Sequence, residues 1–487
     1  MEARRRVHTA IVGAGFGGIG TGIKLTENGH RDFLIFDRGD DVGGTWRENT
    51  YPGCACDVPS HLYSLSFVPN PRWTRSFSGQ QEIWDYLRRT AADHGLRPHL
   101  RLGHEVRGAD WDSVSGRWLI DTSRGPYSAE LLVAAGGPLS EPAVPKLPGL
   151  ETFGGEVFHS ARWNHDYDLT GKRVAVVGTG ASAIQFVPAI ADRTARLHVF
   201  QRTAPWVLPR ADRDFTAREK RLFARVPALR RLARAGVYTG RELQAIGFLH
   251  PVVMRAGQRV ALRNLRKAIA DPDLRARLTP DYRMGCKRIL LSDDWYPALA
   301  RDDVELVTDA ITEVRPGAVV TADGTVREVD AIVFGTGFHV TDMPMAELIR
   351  GRDGRTLAEA WQGSMSAYKG SCVTGFPNLV LVLGPNTGLG HTSVVFMIEC
   401  QIAYLLGMMR HLTRAGGPIE PRPEAQRAYR AMIDRKMAGT VWIAGGCRSW
   451  YLDATGRNSA LWPGYTWSYW LRTRRFDPAA YRKVATR

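Results

Sequence analysis

The sequence has few cysteines, and they form no recognisable metal or redox motif. Six occur among 487 residues, with neither zinc-type spacing nor a Cys-x-x-Cys pair. This argues against zinc modules and thioredoxin-like redox motifs, and no metal site is expected. We predict that the thiols are reduced, as is usual in a cytoplasmic protein. They are Cys54, Cys56, Cys286, Cys372, Cys400 and Cys447.

Long hydrophobic runs are also missing. No uninterrupted apolar stretch is long enough to cross a bilayer, so we predict no membrane span. Residues 1–6 contain a basic run, and an apolar stretch follows, so the start of the sequence imitates a signal peptide. That apolar stretch continues into a glycine-rich motif, however, and we therefore expect no signal peptide.

Acidic residues are outnumbered by basic ones. The chain has 49 Asp and Glu and 65 Lys and Arg, which gives a formal net charge of +16. Such an excess can indicate nucleic acid or a membrane surface as the partner. The arginines are spread along the chain, however, and no nucleic-acid recognition motif is present. We predict no nucleic-acid partner and attribute the charge to polyanionic small ligands. Repeats are absent too, and the length predicts two or three domains.

What the chain does contain is a glycine-rich dinucleotide fingerprint close to its start. The motif follows a predicted strand at 7–12 and opens a predicted helix, and a second strand ends at Asp37. In this β-α-β context the glycines let the backbone approach a pyrophosphate at the helix N-terminus, and Asp37 accepts hydrogen bonds from a ribose. The motif residues are Gly13, Gly15, Phe16, Gly17 and Gly18.

A second fingerprint follows a predicted strand at 173–177. Where the first unit has Asp37, this one has Arg202 and Thr203. A guanidinium binds a 2′-phosphate that a carboxylate would repel, so the second site should prefer NADPH to NADH, unless Arg202 is merely an exposed surface residue. Two fingerprints indicate a flavin and a nicotinamide. The second motif consists of Gly178, Thr179, Gly180, Ala181 and Ser182.

These patterns predict an α/β protein with two Rossmann-like dinucleotide-binding domains. We expect the chain to cross between them at the glycine- and proline-rich segment 136–148 and again near 335–338. Residues 1–140 and 341–487 would then form the two parts of an FAD-binding domain. Residues 141–340 would form an NADP-binding domain, with an arginine-dense helical insertion at about 212–280 whose charged faces are solvated.

Three further motifs carry a family resemblance. The first is Phe153-x-Gly155-x-x-x-His159-x-x-x-Trp163, the second runs from Gly43 to Gly53 with Asp57 after it, and the third is Lys287-Arg288. Together they resemble the signatures of the type I Baeyer–Villiger monooxygenases. The tail at 447–464 is similar to the branch related to 4-hydroxyacetophenone monooxygenase.

The resemblance implies a mechanism with FAD and NADPH as cofactors. NADPH reduces FAD, O2 adds to the flavin to give a C4a-peroxyflavin, and this attacks a ketone to give an ester or lactone. Arg288 would stabilise the negative charge, Asp57 would orient Arg288, and Lys287 would help to hold the NADP phosphate. Further cofactor contacts implied by the resemblance are Gly44, Thr45, Trp46, Asp57, Tyr63, Val106 and Gln185.

Other aromatic and imidazole side chains receive weaker assignments. His159 and Trp163 are four residues apart, so on a helical turn they share a face, and we expect them to couple the two domains rather than act in proton transfer. In the aromatic tail we assign only Trp450 and Tyr451 to the substrate pocket. The expected partners are a small ketone and O2, and the expected state is a monomer or homodimer.

Three alternative functions remain. A relative that oxygenates nitrogen or sulfur shares both fingerprints but lacks counterparts of Trp163 and Arg288. A disulfide reductase needs a cysteine pair beside the flavin, and Cys54 and Cys56 are poorly spaced for that role. A binding protein without activity has no use for a positioned arginine.

Overall fold

Two β-sheets, each built around a strand, glycine turn and helix, organise the computed structural model, which describes residues 4–486. The first unit is β1 (Arg5–Val12), α1 (Phe16–Glu27) and β2 (Phe33–Phe36), close to the predicted bounds. Residues 1–3 of the signal-like start lie outside the described residues. β1 pairs in parallel with β2, so α1 crosses over one face of the sheet.

The first sheet continues with elements that extend it on both sides of β1. A three-stranded meander follows, and its last strand pairs in parallel with β1. The elements are α2 (Thr45–Glu48), α3 (Gln80–Asp93), β3 (Leu100–Arg101), β4 (Val106–Asp112), β5 (Arg117–Thr122) and β6 (Gly125–Ala134).

The second sheet has five parallel strands with the second fingerprint at its centre. Its strands and central helix are β7 (Glu156–His159), β8 (Arg173–Val177), α4 (Ala183–Ala191), β9 (Arg196–Phe200), β12 (Val304–Val307) and β16 (Ala331–Phe334). Smaller elements complete this region: β10 (Val207–Leu208), β11 (Leu290–Leu291), α9 (Trp295–Leu299), and the antiparallel set β13 (Ile311–Arg315), β14 (Ala318–Thr321) and β15 (Val326–Glu328).

Four helices occupy the segment predicted as a helical insertion. They are α5 (Ala217–Arg225), α6 (Pro227–Leu249), α7 (Met254–Ala268) and α8 (Pro272–Arg277). Most of their arginines are exposed, as expected for solvated faces. Arg234 is an exception, since its guanidinium donates to the backbone oxygens of His61 and Ser64. The insertion therefore also contacts the first dinucleotide unit.

The remaining chain returns to the first sheet. β18 pairs with β6 and β17 pairs with β4, while α12 packs against α1. The elements are α10 (Met345–Leu348), β17 (Ile349–Arg350), α11 (Leu357–Trp361), β18 (Leu379–Leu381), α12 (Val394–Ala415), β19 (Ile419–Pro421), α13 (Pro423–Met437), α14 (Val441–Ala444), α15 (Thr466–Thr473) and β20 (Tyr481–Lys483).

The two segments that join the sheets run side by side. Pro142 and Phe338 form an antiparallel bridge, and the backbone N–H of Ala143 donates to the oxygen of Gly337 at 2.9 Å. The N–H of His339 donates to the oxygen of Glu141 at 3.0 Å. Both predicted crossings thus lie within one paired linker, defined here as residues 136–148 and 335–343.

The buried core divides in the same way. One apolar cluster lies between the first sheet, α1, α3 and α12, and another packs around α4 and the second sheet. Across residues 4–486, no helix combines the length and the apolar character needed to cross a bilayer. The same residues contain no group of three or more His, Cys, Asp or Glu side chains suited to a metal ion.

Candidate active site

The predicted site residues converge on a cleft between the two sheets. Its volume is about 1120 Å³, and residues of both fingerprints line it. The carboxyl ends of β1 and β8 both open into it, which is where ligands bind in sheets of this kind. Gly18 and Val106 do not line the cleft. Gly18 is buried in α1, and Val106 begins β4.

The turn after β1 forms a cradle that only glycine can build. Gly13 has φ +106°, and a Cβ there would lie 2.5 Å from the backbone oxygen of Ala135. Gly15 caps α1 without a side-chain hydrogen bond, and the first turn contains no acidic residue. Gly44 approaches Gly15 closely, so that a Cβ on Gly44 would lie 3.1 Å from the Cα of Gly15. The free N–H groups at this helix N-terminus therefore suit a pyrophosphate.

Asp37 is held in place at the end of this cradle. One carboxylate oxygen accepts from the N–H of Ala14 at 2.8 Å, and the other accepts from the N–H of Gly39 at 2.9 Å. Arg47 forms a buried salt bridge with it at 2.9 Å. The carboxylate is thereby fixed at the cleft edge, where the sequence predicts a ribose.

An aromatic wall continues the same side of the cleft. Trp46 donates its indole N–H to the hydroxyl of Tyr63 at 3.1 Å, and the rings of Phe16 and Tyr63 meet edge to face at 5.2 Å. Thr45 begins α2 beside them and also lines the cleft. These apolar and aromatic groups provide a surface for a flat ring system.

The second fingerprint repeats this design. Gly178 has φ +109°, and a Cβ there would lie 2.6 Å from the oxygen of Gly335. Ser182 caps α4 without a side-chain hydrogen bond, and the first turn again contains no acidic residue. Thr179, Gly180 and Ala181 line the cleft between them.

Gln185 serves a structural purpose in addition to lining the cleft. Its amide oxygen accepts from the hydroxyl of Tyr51 at 3.0 Å, and its amide N–H donates to the backbone oxygen of Ala55 at 3.0 Å. The side chain thus ties α4 to the segment between α2 and α3 of the first dinucleotide unit.

A pair of cations stands at the far end of the second cradle. Arg202 is exposed, and Lys287 is half-buried with its ammonium 5.0 Å from the ring centroid of Tyr282. Burial lowers the pKa of Lys287, and the nearby charge of Arg202 lowers it further. Thr203 lines the cleft beside them. Two cations that repel each other form a ready site for a dianionic phosphate.

Arg288 and Asp57 form an ion pair on the cleft wall. Arg288 Nε donates to Asp57 Oδ2 at 2.9 Å, and Nη2 of the same guanidinium donates to the same oxygen. Burial alone would raise the pKa of Asp57, but the charge and hydrogen bonds of Arg288 outweigh it and hold that pKa below its ordinary value. In turn, Asp57 raises the pKa of Arg288. Both groups therefore stay charged, and β11, which begins two residues after Arg288, anchors this segment.

Comparisons with known proteins agree with this geometry. Residues 10–220 match the family model of the pyridine nucleotide-disulphide oxidoreductases. A Baeyer-Villiger monooxygenase of Streptomyces coelicolor is 53% identical over 484 residues, which cover 99% of this chain and 93% of that relative. The chain belongs to the Baeyer–Villiger monooxygenase family. This confirms the predicted family and the flavoprotein monooxygenase class.

Solved structures extend the likeness to the whole fold. The crystal structure of cyclohexanone monooxygenase from Rhodococcus sp. Phi1 bound to NADP+ matches with a TM-score of 0.87 and 28% identity over 99% of both chains. The complex of OTEMO with FAD and NADP matches with a TM-score of 0.89 and 26% identity over 99% of this chain and 100% of the other. The predicted fold class, with two dinucleotide-binding domains, is confirmed.

The prediction that His159 and Trp163 share a face of a helical turn in this Baeyer–Villiger monooxygenase is wrong. His159 is the last residue of β7, and a short 3₁₀ turn separates it from Trp163. The side chains also diverge, because the ring of His159 packs against Phe338, whereas Trp163 packs against Phe158 and Phe186. Pairing of β7 with β16 places the motif in the second sheet, a long-range contact that the four-residue spacing does not reveal.

The prediction that all the thiols are reduced is wrong for two of them. Cys286 and Cys447 form a disulfide across a sequence separation of 161 residues, and neither lines the cleft of this family member. Spacing rules detect neighbouring cysteines only, so they gave no signal for this pair. The free cysteines are Cys54, Cys56, Cys372 and Cys400.

The cleft lining also contains apolar residues that the sequence did not assign to a pocket. Trp450 lines the cleft, as expected for the tail, whereas Tyr451 lies buried behind it. Other apolar side chains join Trp450 from well separated segments, which left no local pattern to recognise. They are Leu139, Phe338, Met343, Met365, Leu383 and Leu461.

Proposed function

We propose that this chain is a ketone monooxygenase that uses FAD and NADPH to insert one oxygen atom of O2 next to a ketone carbonyl, giving an ester or lactone. The observation that carries the proposal is the Arg288–Asp57 pair on a cleft wall between two dinucleotide cradles. The first cradle, with Asp37 and the wall of Trp46 and Tyr63, would hold FAD. The second, with Arg202 and Lys287, would hold NADPH.

Reduced FAD supplies the chemistry that activates O2, and the chain's own residues supply position and charge. Arg288 stays ionised at any working pH and places a fixed positive charge where negative oxygen develops. Asp57 fixes the orientation of the guanidinium by accepting hydrogen bonds from two of its N–H groups. The apolar side chains that line the cleft, among them Leu139 and Leu461, exclude water from the reacting groups and favour an uncharged ketone.

Oxygenation of nitrogen or sulfur is the weaker alternative. The relatives support ketone oxidation, and Arg288 provides a charge suited to an oxyanion. Disulfide reduction is disfavoured, because Cys54 and Cys56 are separated by a single residue, which is poor spacing for a redox pair. Burial also raises the pKa of Cys54 to about 12 and raises that of Cys56, which disfavours the reactive thiolate. A cytoplasmic location and a monomeric or homodimeric state stay predictions.

We expect purified protein to carry FAD that is bound without a covalent link. Denaturation should release free FAD, measured by chromatography of the soluble fraction. Gly13→Ala should abolish FAD binding, because the added Cβ would clash with the oxygen of Ala135 at 2.5 Å. Gly108→Ala is a matched control, since a Cβ at that position meets nothing within 4 Å. Recovery of FMN would contradict the assignment of the first cradle.

The reaction itself can be tested with a panel of uncharged ketones, NADPH and air. Mass spectrometry should find ester or lactone products that have gained one oxygen atom. Amine and thioether substrates in the same assay examine the alternative. Conversion of these compounds without conversion of any ketone would overturn the proposed function.

A further inference from the structure

The disulfide joins the segment that carries Arg288 to the aromatic tail of the chain. We call residues 283–288 the arginine segment and residues 445–451 the tail segment. The N–H of Arg283 donates to the oxygen of Gly445 at 3.2 Å, and the disulfide from Cys286 to Cys447 follows. A Cβ on Gly445 would lie 2.5 Å from Cys286 Cβ, so the two segments are in close contact.

The reactive groups stand directly in front of this junction. Cys286 immediately precedes Lys287 and Arg288, which line the cleft, and Trp450 of the tail segment lines it as well. Cys286 is fully buried, whereas Cys447 is partly exposed. The disulfide therefore lies behind the cleft wall, and of its two residues only Cys447 is partly exposed.

Tyr451 supports the same junction from the other end of the tail segment. Its side chain is 1% exposed, and its hydroxyl has no hydrogen-bond partner among the described residues. Burial raises the pKa of Tyr451 to about 12, and the nearby charge of Arg288 opposes that rise. The phenol therefore stays neutral beside Arg288 and contributes packing. Asp57 is then the ionic partner that holds the guanidinium, and the tail segment supports it from behind.

We propose that the Cys286–Cys447 disulfide positions Arg288, and that its reduction by a dithiol uncouples NADPH oxidation from ester formation. The inference rests on the proposed function, because it concerns the same arginine. A dithiol donates two electrons and two protons, the S–S bond breaks to give two thiols, and the dithiol becomes a disulfide. Once the covalent link is gone, only the Arg283–Gly445 hydrogen bond and packing hold the two segments together, and catalytic geometry tolerates a displacement of only about 0.5 Å. Where disulfides occur in reducing compartments they are commonly redox-sensing, and the exposed side of Cys447 admits a reductant.

The first test establishes the bond without any activity measurement. Air-oxidised protein that is denatured in a thiol-blocking reagent should expose four thiols, and dithiothreitol should raise the count to the six cysteines of the sequence. Peptide mapping of the oxidised protein should recover Cys286 linked to Cys447. Finding both as free thiols would overturn the inference, whatever the enzyme does.

The second test measures the ester formed per NADPH consumed. Reduction should lower this ratio and the kcat for ester by about tenfold, within the ~10²-fold that a misplacement of one ångström costs. FAD content should change little, which separates loss of position from loss of structure. Cys447→Ser should show the low ratio before reduction and no further response to dithiothreitol. Cys400→Ala, which removes a buried free thiol outside the cleft, should respond as the parent protein does.

The outcomes separate the two proposals. An oxidised parent protein that makes no ester from any ketone contradicts the proposed function. A parent that makes ester with the same ratio before and after reduction contradicts the positioning role alone. If Cys447→Ser does not fold, the positioning role is decided by the ester formed per NADPH in oxidised and reduced parent protein, with Cys400→Ala measured in the same way as the control. A response to dithiothreitol that persists in folded Cys447→Ser also overturns the inference.

Discussion

Arg288→Ala should abolish ester formation while FAD stays bound. Removal of one preorganised donor costs about 10²–10³ in rate, and Arg288 supplies a full positive charge that Asp57 keeps in place. The FAD cradle is built from β1, α1 and the wall of Trp46 and Tyr63, whereas Arg288 belongs to the segment that precedes β11. NADPH oxidation should continue in part, with its electrons released as hydrogen peroxide. Product analysis and a peroxide assay on the same sample measure both branches.

Two further variants make this result specific. Arg288→Lys should restore little activity, because an ammonium lacks the planar fork that meets Asp57 with two donors. Arg301→Ala removes another arginine paired with an aspartate, Asp303 at 2.8 Å, but outside the cleft. It should leave ester formation near the parent level. An Arg288 variant that still converts ketone at the parent rate would show that the guanidinium is not the catalytic group.

Arg202→Ala should raise the KM for NADPH by about tenfold or more and leave the KM for NADH nearly unchanged. A hydrogen bond to a charged group contributes roughly 1.5–3 kcal/mol. Arg202 and Lys287 repel each other in the absence of an anion, and a 2′-phosphate relieves that repulsion. Lys287→Ala should therefore show the same selectivity. Steady-state kinetics with both nucleotides provide the measurement.

Arg193→Ala is the matched control for nucleotide selectivity. Arg193 is exposed just after α4 and does not line the cleft, so its loss changes the net charge of the protein by the same amount. Its KM values for both nucleotides should match those of the parent. Equal effects of Arg202→Ala on NADPH and NADH would remove Arg202 from the phosphate site.

Local patterns predicted the framework of the fold. β8 begins and ends where the sequence placed it, at 173–177, and β1 ends at the predicted residue, Val12. Both follow from short-range physics, since buried β-branched runs form strands and a glycine turn opens each helix. The positive φ at Gly13 and Gly178 is equally local, whereas the backbone oxygens that a Cβ would meet there belong to the distant residues Ala135 and Gly335.

Contacts between residues far apart in the sequence were harder to predict. Asp57 and Arg288 are separated by 231 positions, and only the resemblance to a family indicated that they act together. The disulfide between Cys286 and Cys447 had no such indication and was missed. His159 was placed on a helical turn because the pairing of β7 with β16 cannot be deduced from the spacing of two side chains.

The paired linker has a consequence for protein engineering. Because Pro142 and Phe338 lie opposite each other, with hydrogen bonds between their neighbours on both sides, the chain enters and leaves the second nucleotide unit at nearly the same point. A unit with adjacent ends can be exchanged as one cassette, since neither junction has to span a gap. Transplanting residues 141–340 from a relative would thus replace the second cradle, together with Lys287 and Arg288, while the flavin cradle keeps its own covalent frame. The hydrogen bond from the N–H of His339 to the oxygen of Glu141 marks where the two junctions of such an exchange should be placed.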